Sequence, residues 1–158
     1  MKSFNYIFML LLFYIFLLGG CARQHYGNFS GLTSDQNSII ADSAVSRLST
    51  LYPPALTKIV LKNDAKDSFG QPFINKLRDR GYSIQEFTEK NSIKNNNVTP
   101  SDNSKPSSSI DLSYIVDNLG FENYYRVTIN IGQQSISRGF IADNSGKISP
   151  AGAWVRKE

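Results

Sequence analysis

The sequence predicts an α+β fold, a single small domain in which two helices pack on a mainly antiparallel sheet. Two segments in the first half of the chain carry apolar residues at helical spacing. The last third instead alternates apolar and polar residues, which is typical of half-buried strands. About 138 residues follow the N-terminal apolar run, which is the size of one domain.

The first helix is predicted from Asp35 to Leu51. Ser34 or Asp35 can cap its start, and Pro53 and Pro54 end it because proline cannot continue a helix. Its apolar residues recur every three or four positions and form one stripe: Ile40, Ala44, Val45, Leu48 and Leu51.

A second helix is predicted between two strands. Ala55 to Lys62 is rich in β-branched and apolar residues and predicts a strand. Asp67 to Arg80 predicts the helix, with regular geometry expected from about Pro72 and with Gly81 as the residue after its C-cap. Tyr82 to Phe87 predicts the next strand.

Residues 88 to about 108 differ in composition from the rest. Asparagine and serine dominate, and Ile93 and Val98 are among the few apolar residues. Such a segment cannot bury a core, so we expect a disordered loop inside the domain rather than a domain boundary. The segments on either side are too small to fold well alone.

Three antiparallel strands are predicted after this loop, with a short strand or extended tail at the end of the chain. Residues 118–123 and 132–134 read as hairpin connections, and residues 144–146 as a further turn. The predicted strands are Ile110 to Asp117, Tyr124 to Gly132, Ser135 to Ala142 and Ala153 to Arg156.

The N-terminus predicts a bacterial lipoprotein. Lys2 is followed by an apolar run from Tyr6 to Leu18, and Leu17-Leu18-Gly19-Gly20-Cys21 reads as a lipobox. The run is shorter than the about 20 residues that a membrane-spanning helix needs. We therefore expect residues 1–20 to be a signal peptide and Cys21 to be acylated, which makes membrane lipid a partner of the chain.

The expected location is the outer membrane, with the domain facing the periplasm. Ala22 follows Cys21, whereas an aspartate there is typical of lipoproteins retained in the inner membrane.

Since Cys21 is the only cysteine, no disulfide and no cysteine-based metal site is expected. Residues 21–34 read as a polar tether before a domain at 35–158. Tyr26 and Phe29 within it are either a docking strip or local packing.

The sequence contains few of the parts that catalysis requires, so we expect no enzyme, no cofactor and no metal. His25 is the only histidine and falls in the predicted tether, which excludes a Ser-His-Asp or histidine-metal arrangement in the core. Gly139 and Gly152 read as strand and turn glycines. Three carboxylates could pair in principle, but their spacing does not favour acid-base work over solvated strand ends: Asp111, Asp117 and Glu122.

Charge gives no reason to expect nucleic acid as a direct partner. The formal net charge of +4 falls by one when Lys2 leaves with the signal peptide, and the remaining charges are dispersed. Lys76, Arg78 and Arg80 are the densest basic group. They lie at a predicted helix end, where cations suit the helix dipole, and we favour that interpretation over phosphate binding.

A series of short segments follows Cys21. In chain order they are Tyr26-Gly27-Asn28-Phe29, Leu48-Ser49-Thr50-Leu51-Tyr52-Pro53-Pro54-Ala55, Phe69-Gly70, Leu77-Arg78-Asp79-Arg80-Gly81-Tyr82, Leu112-Ser113-Tyr114-Ile115-Val116-Asp117, Tyr125-Arg126-Val127, Ser135-Ile136-Ser137-Arg138 and Pro150-Ala151-Gly152-Ala153-Trp154-Val155-Arg156-Lys157-Glu158. With these segments the chain resembles the TrbH family of conjugal transfer lipoproteins, apart from the Asn/Ser-rich loop.

The resemblance implies a role in mating-pair formation, the type IV secretion apparatus that moves plasmid DNA between bacteria. It implies a small outer-membrane lipoprotein that acts as a scaffold and contacts other secretion-channel proteins, with acylated Cys21 as its only transferable site. The alternative is an envelope-maintenance or surface-exclusion lipoprotein that binds peptidoglycan or another envelope protein. Four aromatic residues either supply a contact surface or fill the core, and we favour the core: Phe121, Tyr124, Tyr125 and Phe140.

Overall fold

The computed structural model describes residues 25–88, 109–121 and 123–158. The predicted signal peptide with Cys21, nearly all of the predicted loop at 88–108, and Glu122 lie outside the described residues. In chain order the elements are β1 (Gly27–Asn28), α1 (Ser34–Leu51), a 3₁₀ turn (Pro54–Leu56), β2 (Lys58–Leu61), α2 (Gly70–Asp79), β3 (Ser83–Gln85), β4 (Ser109–Asn118), β5 (Tyr124–Ile131), β6 (Gln134–Ala142), β7 (Ile148–Pro150) and β8 (Val155–Lys157).

The strands form one mixed sheet in the order β3-β2-β4-β5-β6-β7. Strands β4 and β6 each pair with two short strands along one edge. β1 and β2 both pair with β4 in parallel, and β7 and β8 both pair with β6 in antiparallel orientation. The β4–β5 and β5–β6 pairs are also antiparallel, whereas β2–β3 is parallel. The predicted α+β fold with two helices on a mainly antiparallel sheet is confirmed.

Strands β4 to β6 lie within one residue of the predicted positions, because their apolar residues alternate. Val127, Ile129 and Ile131 of β5 are buried on the face that the helices cover, while Arg126, Thr128 and Asn130 lie on the open face. Hairpins join these strands at residues 119–123 and 132–133, as expected. Gly132 has a φ of +58°, the conformation that the first residue of a tight hairpin turn requires.

Helix α1 begins one residue earlier than predicted and has a different cap. Thr33, and not Ser34 or Asp35, is the N-cap: its hydroxyl accepts from the backbone N–H of Gln36, whose side chain accepts from the N–H of Thr33. This reciprocal pair is a capping box, which satisfies two otherwise free donors. The predicted apolar stripe is buried except for Leu51, which is partly buried, and it faces the sheet and α2.

Helix α2 begins at Gly70 and not at Asp67. Asp67 stands outside the helix, and its Oδ1 accepts from the backbone N–H groups of Phe69 and Gly70. Gly81 ends the helix as predicted, with a φ of +87°. The N–H of Tyr82 bonds to the carbonyl of Leu77, the bond that defines a Schellman end, and both side chains are buried together.

The strand predicted from Ala55 to Lys62 was too long. Pro54 starts a 3₁₀ turn, and the Thr57 hydroxyl bonds to the Pro53 carbonyl, so pairing begins only at Lys58. Leu56, which the prediction placed in the strand, is 70% exposed. The strand expected over 82–87 is also shorter, at Ser83–Gln85.

Two short strands were not predicted. β7 follows the confirmed turn at 144–146 and pairs with the end of β6. β1 lies inside the segment that the sequence places in the tether, and Leu32, further along that segment, is buried. Residues 27–33 therefore contact the domain, and only the chain before them is left to connect the domain to Cys21.

Candidate functional site

The predicted site residues are scattered. Cys21 lies outside the described residues, so its acylation stays a prediction. His25 is exposed at the start of the described chain. Asp111 and Asp117 lie on the open face of β4, six residues or about 20 Å apart, and each pairs with a cation. Lys62 contacts Asp111 at 3.4 Å, and Arg126 binds Asp117 at 2.6 Å.

These ion pairs argue against acid-base chemistry at β4. A general acid and base need to meet around one reacting atom, whereas these two carboxylates are too far apart and are held by separate cations. Glu122, the third predicted carboxylate, lies outside the described residues. Among the residues that the structure does describe, no three metal-ligating side chains come together.

The basic group of α2 is bound to the domain itself. Lys76 lies 3.6 Å from Asp42 of α1, Arg78 pairs with Glu86, and Arg80 donates to the hydroxyl of Ser46. These contacts join the helix end to its neighbours. They support the helix-end interpretation over phosphate binding.

The four aromatic residues divide between the two predicted roles. Phe140 is fully buried and Tyr125 packs against the core, whereas Phe121 is 71% exposed and Tyr124 is 43% exposed. Tyr125 lies on the same face of β5 as Val127, and Tyr124 lies on that of Arg126. The alternation of β5 therefore separates Tyr125, which packs against the core, from the exposed Tyr124. The same alternation is visible in the sequence and could have divided the two tyrosines.

The two exposed aromatics are among four large apolar side chains that are exposed toward the end of the sheet where β4 finishes. Leu119 and Phe121 lie in the β4–β5 hairpin, and the N–H of Leu119 bonds to the carbonyl of Tyr124. Phe29 follows β1 on the opposite edge of β4, with its N–H bonded to the carbonyl of Val116. We call these four exposed residues the apical patch: Phe29, Leu119, Phe121 and Tyr124.

A polar cluster fixes the start of the domain next to the apical patch. The Asn28 side chain donates to Oδ1 of Asn37 at 3.1 Å and to the hydroxyl of Ser68 at 2.9 Å, and it accepts from Ser30. Asn37 is fully buried and donates to the carbonyl of Leu32 and to Ser68. A buried amide with every group bonded specifies one arrangement. We call Asn28, Ser30, Asn37 and Ser68 the root cluster.

A second buried contact lies beside the root cluster. The Tyr114 hydroxyl donates to Oδ2 of Asp67 at 2.6 Å. Burial, and then this bond to a carboxylate, raises the pKa of Tyr114 above its ordinary value. A Cβ at Gly70 would overlap the Tyr114 hydroxyl and lie 2.6 Å from the Ala65 carbonyl oxygen. The Phe69-Gly70 segment thus needs its glycine because the tyrosine hydroxyl approaches the helix start so closely.

Several of the other segments that carry the family resemblance meet in the fold. The Tyr82 hydroxyl donates to the carbonyl of Tyr52, whose own hydroxyl donates to Oε1 of Gln134 at 2.6 Å. Arg138 donates to the carbonyl of Gly152, and its guanidinium lies 5.9 Å from the ring centroids of both Phe140 and Trp154. Gly139 and Gly152 lie in β6 and between β7 and β8, as expected. These segments hold the C-terminal strands and helix ends in place.

An open cleft of about 540 Å³ lies at the other end of the sheet. Tyr52, Gln134 and Arg156 line it, and Asp111, its one carboxylate among the lining residues, contacts Lys62. No helix within the described ranges is long and apolar enough to cross a membrane.

Comparison with known proteins identifies the family. The family of the conjugal transfer protein TrbH matches residues 23–158, a range that begins two residues after Cys21 and includes every described element. No curated protein and no solved structure gives a significant match. Because the match covers most of the chain, the protein belongs to the TrbH family of conjugal transfer proteins.

Proposed function

We propose that the chain is a non-enzymatic, outer-membrane lipoprotein of a conjugative type IV secretion apparatus. Membership of the TrbH family carries the proposal, because that family is defined by conjugal transfer. The domain faces the periplasm, and acylated Cys21 anchors it to the membrane. Its task is to hold a position in the mating-pair apparatus and to contact other channel proteins.

The chemistry of the described surface supports a scaffold. Asp111 and Asp117 are held apart in separate ion pairs, and the cations of α2 bind the domain itself. The apical patch, in contrast, leaves large apolar side chains uncovered, which is typical of a contact surface. Two or three acyl chains on Cys21 would make the anchoring stable, since each buried methylene contributes about 0.8 kcal/mol.

Mating assays test the proposal. Deleting the gene from donor cells should lower plasmid transfer, whereas the same deletion in recipients should have no effect. Wild type should restore transfer, and Cys21→Ser should restore it poorly, because anchoring keeps the local concentration of the domain high near its membrane partners.

His25→Ala is the matched control in the same assay. It changes a residue of the same N-terminal region but leaves Cys21 intact, so it should complement like wild type. Normal transfer from the deletion donor would reject the conjugation role and favour the envelope-maintenance or surface-exclusion alternative. A severe defect from His25→Ala would indicate a site that the proposal lacks.

A further inference from the structure

The structure makes the link between the lipid and the domain short. β1 is paired with β4, and the root cluster binds it to α1 and to the start of α2. The covalent chain from Cys21 to Gly27 is six residues, which span at most about 20 Å when fully extended. This step rests on the proposed acylation of Cys21. Given that acylation, the domain lies against the bilayer surface and not at the end of a long tether.

Gly27 pairs with Ile115, so the link enters the sheet near the end of β4 that carries the apical patch. Only three residues of β4, or about 10 Å, separate Ile115 from Asn118 at the start of the hairpin. The opposite end of β4, at Ser109, is six residues or about 20 Å away in the other direction. The apical patch is therefore nearer than the Ser109 end of β4 to the point where the link enters the sheet.

The residues of the apical patch suit a bilayer interface. Phe29 and Phe121 are 57% and 71% exposed, Leu119 adds an aliphatic group, and Tyr124 combines an apolar ring with a polar hydroxyl. Such amphipathic rings favour the headgroup level of a membrane. Among the charged residues that the structure describes on the open face near this end, Asp117 and Arg126 neutralise each other in an ion pair, and Glu122 of the hairpin lies outside the described residues.

We propose that the apical patch inserts into the lipid interface next to the acylated Cys21, as a second membrane contact that fixes the orientation of the domain. The partner is the lipid surface itself. One anchor would leave the domain free to rotate, whereas two contacts about 30 Å apart or less hold one end of the sheet toward the bilayer. The open face of the sheet and the far end then remain available to other channel proteins.

An environment-sensitive fluorophore on a thiol tests this orientation. In the acylated chain Cys21 is consumed, so Phe121→Cys supplies the only free thiol. The labelled, acylated protein is placed in vesicles of phosphatidylethanolamine and phosphatidylglycerol, with and without brominated acyl chains. Leu56→Cys is the matched control, because Leu56 is equally exposed, at 70%, but lies at the far end of the sheet.

We expect the label at position 121 to shift its emission to the blue and to be quenched by brominated lipid several-fold more strongly than the label at position 56. Equal responses at the two positions would overturn the inference. A blue shift at position 121 without lipid quenching would also overturn it, because the patch would then contact protein. The mass of the purified chain reports acylation independently, so an unmodified Cys21 would count against the proposed anchor and not against the patch.

Discussion

Asn37 shows how one buried side chain sets the start of the domain. Helix α1 contributes it, yet its partners lie on β1, on the segment after β1 and at the start of α2. A polar residue in the buried stripe of a helix weakens that helix on its own. Here every polar group of its side chain is hydrogen-bonded, and these bonds join helix α1 both to the chain just before it and to Ser68, 31 residues later in the sequence.

Asn37→Ala should destabilise the domain by about 2 kcal/mol, because it leaves the amide of Asn28 and the carbonyl of Leu32 without their partner. Urea unfolding of the soluble domain measures the change. Ser38→Ala is the control: Ser38 is the next residue of α1 and outside the buried stripe, so its removal should change the stability by less than about 0.5 kcal/mol. Equal effects of the two changes would contradict the importance of the root cluster.

Tyr114 should make the domain sensitive to alkaline pH. Burial and the Asp67 carboxylate raise its pKa in the folded state above 10.0. The unfolded chain ionises this tyrosine near pH 10 and the folded chain does not, so the stability it contributes is present below about pH 10 and is lost as the pH rises further.

Tyr114→Phe should therefore lower the free energy of unfolding by about 1 to 2 kcal/mol at pH 7. It should also make the decline above about pH 10 shallower than in the wild type. Urea unfolding between pH 7 and 11 gives both values. Tyr124→Phe removes a hydroxyl from an exposed ring and should leave the slope unchanged. A slope in Tyr114→Phe as steep as that of the wild type would show that other groups cause the decline.

At the scale of elements, regular periodicity predicted most of the sheet and both helices. The stripe of α1 and the alternation of β5 each reflect burial on one side, and local spacing is enough to reveal it. β1 has two residues and begins with Gly27 at a φ of +134°, so it is too short to show alternation. The side chains of Asn37 and Ser68 stabilise β1 through hydrogen bonds to Asn28, and no local sequence pattern connects these residues to the strand.

The candidate site likewise has one part that a local motif predicts and another part that only the fold brings together. The lipobox is a local motif, so the sequence alone proposes Cys21 as a site, and its acylation stays a prediction. The apical patch combines Phe29 with the hairpin after β4, a pairing that depends on the parallel register of β1 and β4. Sequence reasoning singled out Phe29 and Phe121 separately but could not bring them to the same end of the sheet.

Removing residues 90–106 should leave the domain folded. β3 and β4 are separated by β2 alone, and Gln85 lies two residues along the strand direction from the level of Ser109, so the two are about 12 Å apart. The six residues that would remain between them can span more than about 20 Å, and loop-closure entropy changes slowly with length. Denaturant unfolding of the deleted and intact domains tests this. A loss of more than about 2 kcal/mol would show that the segment packs against the domain.

At the scale of the whole molecule, the fold places β1, where the proposed anchor would join the domain, toward one end of the sheet and the open cleft at the other. β1 and the β4–β5 hairpin lie toward the first end, and Tyr52 and Gln134 lie at the second. A protein built in this way can present different surfaces to the membrane and to the periplasm. That division suits a component that is held in place while it contacts its neighbours.

The anchor itself is tested by Cys21→Ser. We expect this change to abolish acylation and to leave an unprocessed precursor, since the sulfur is the group that receives the lipid. Metabolic labelling with a palmitate analogue, followed by membrane fractionation, shows both effects. Labelled Cys21→Ser protein in the outer membrane would contradict the assignment of Cys21.

The placement of β1 also decides how the domain responds to force. If the proposed anchor on Cys21 is correct, a load applied through it would enter the sheet at Gly27 and Asn28. The two paired residues of β1 and the hydrogen bonds of the Asn28 side chain then carry that load before it reaches the rest of the sheet. The strands β4, β5 and β6 lie behind this junction. Strand β1 would thus separate from β4 before the other strands do, which would lengthen the link while the rest of the sheet stays folded.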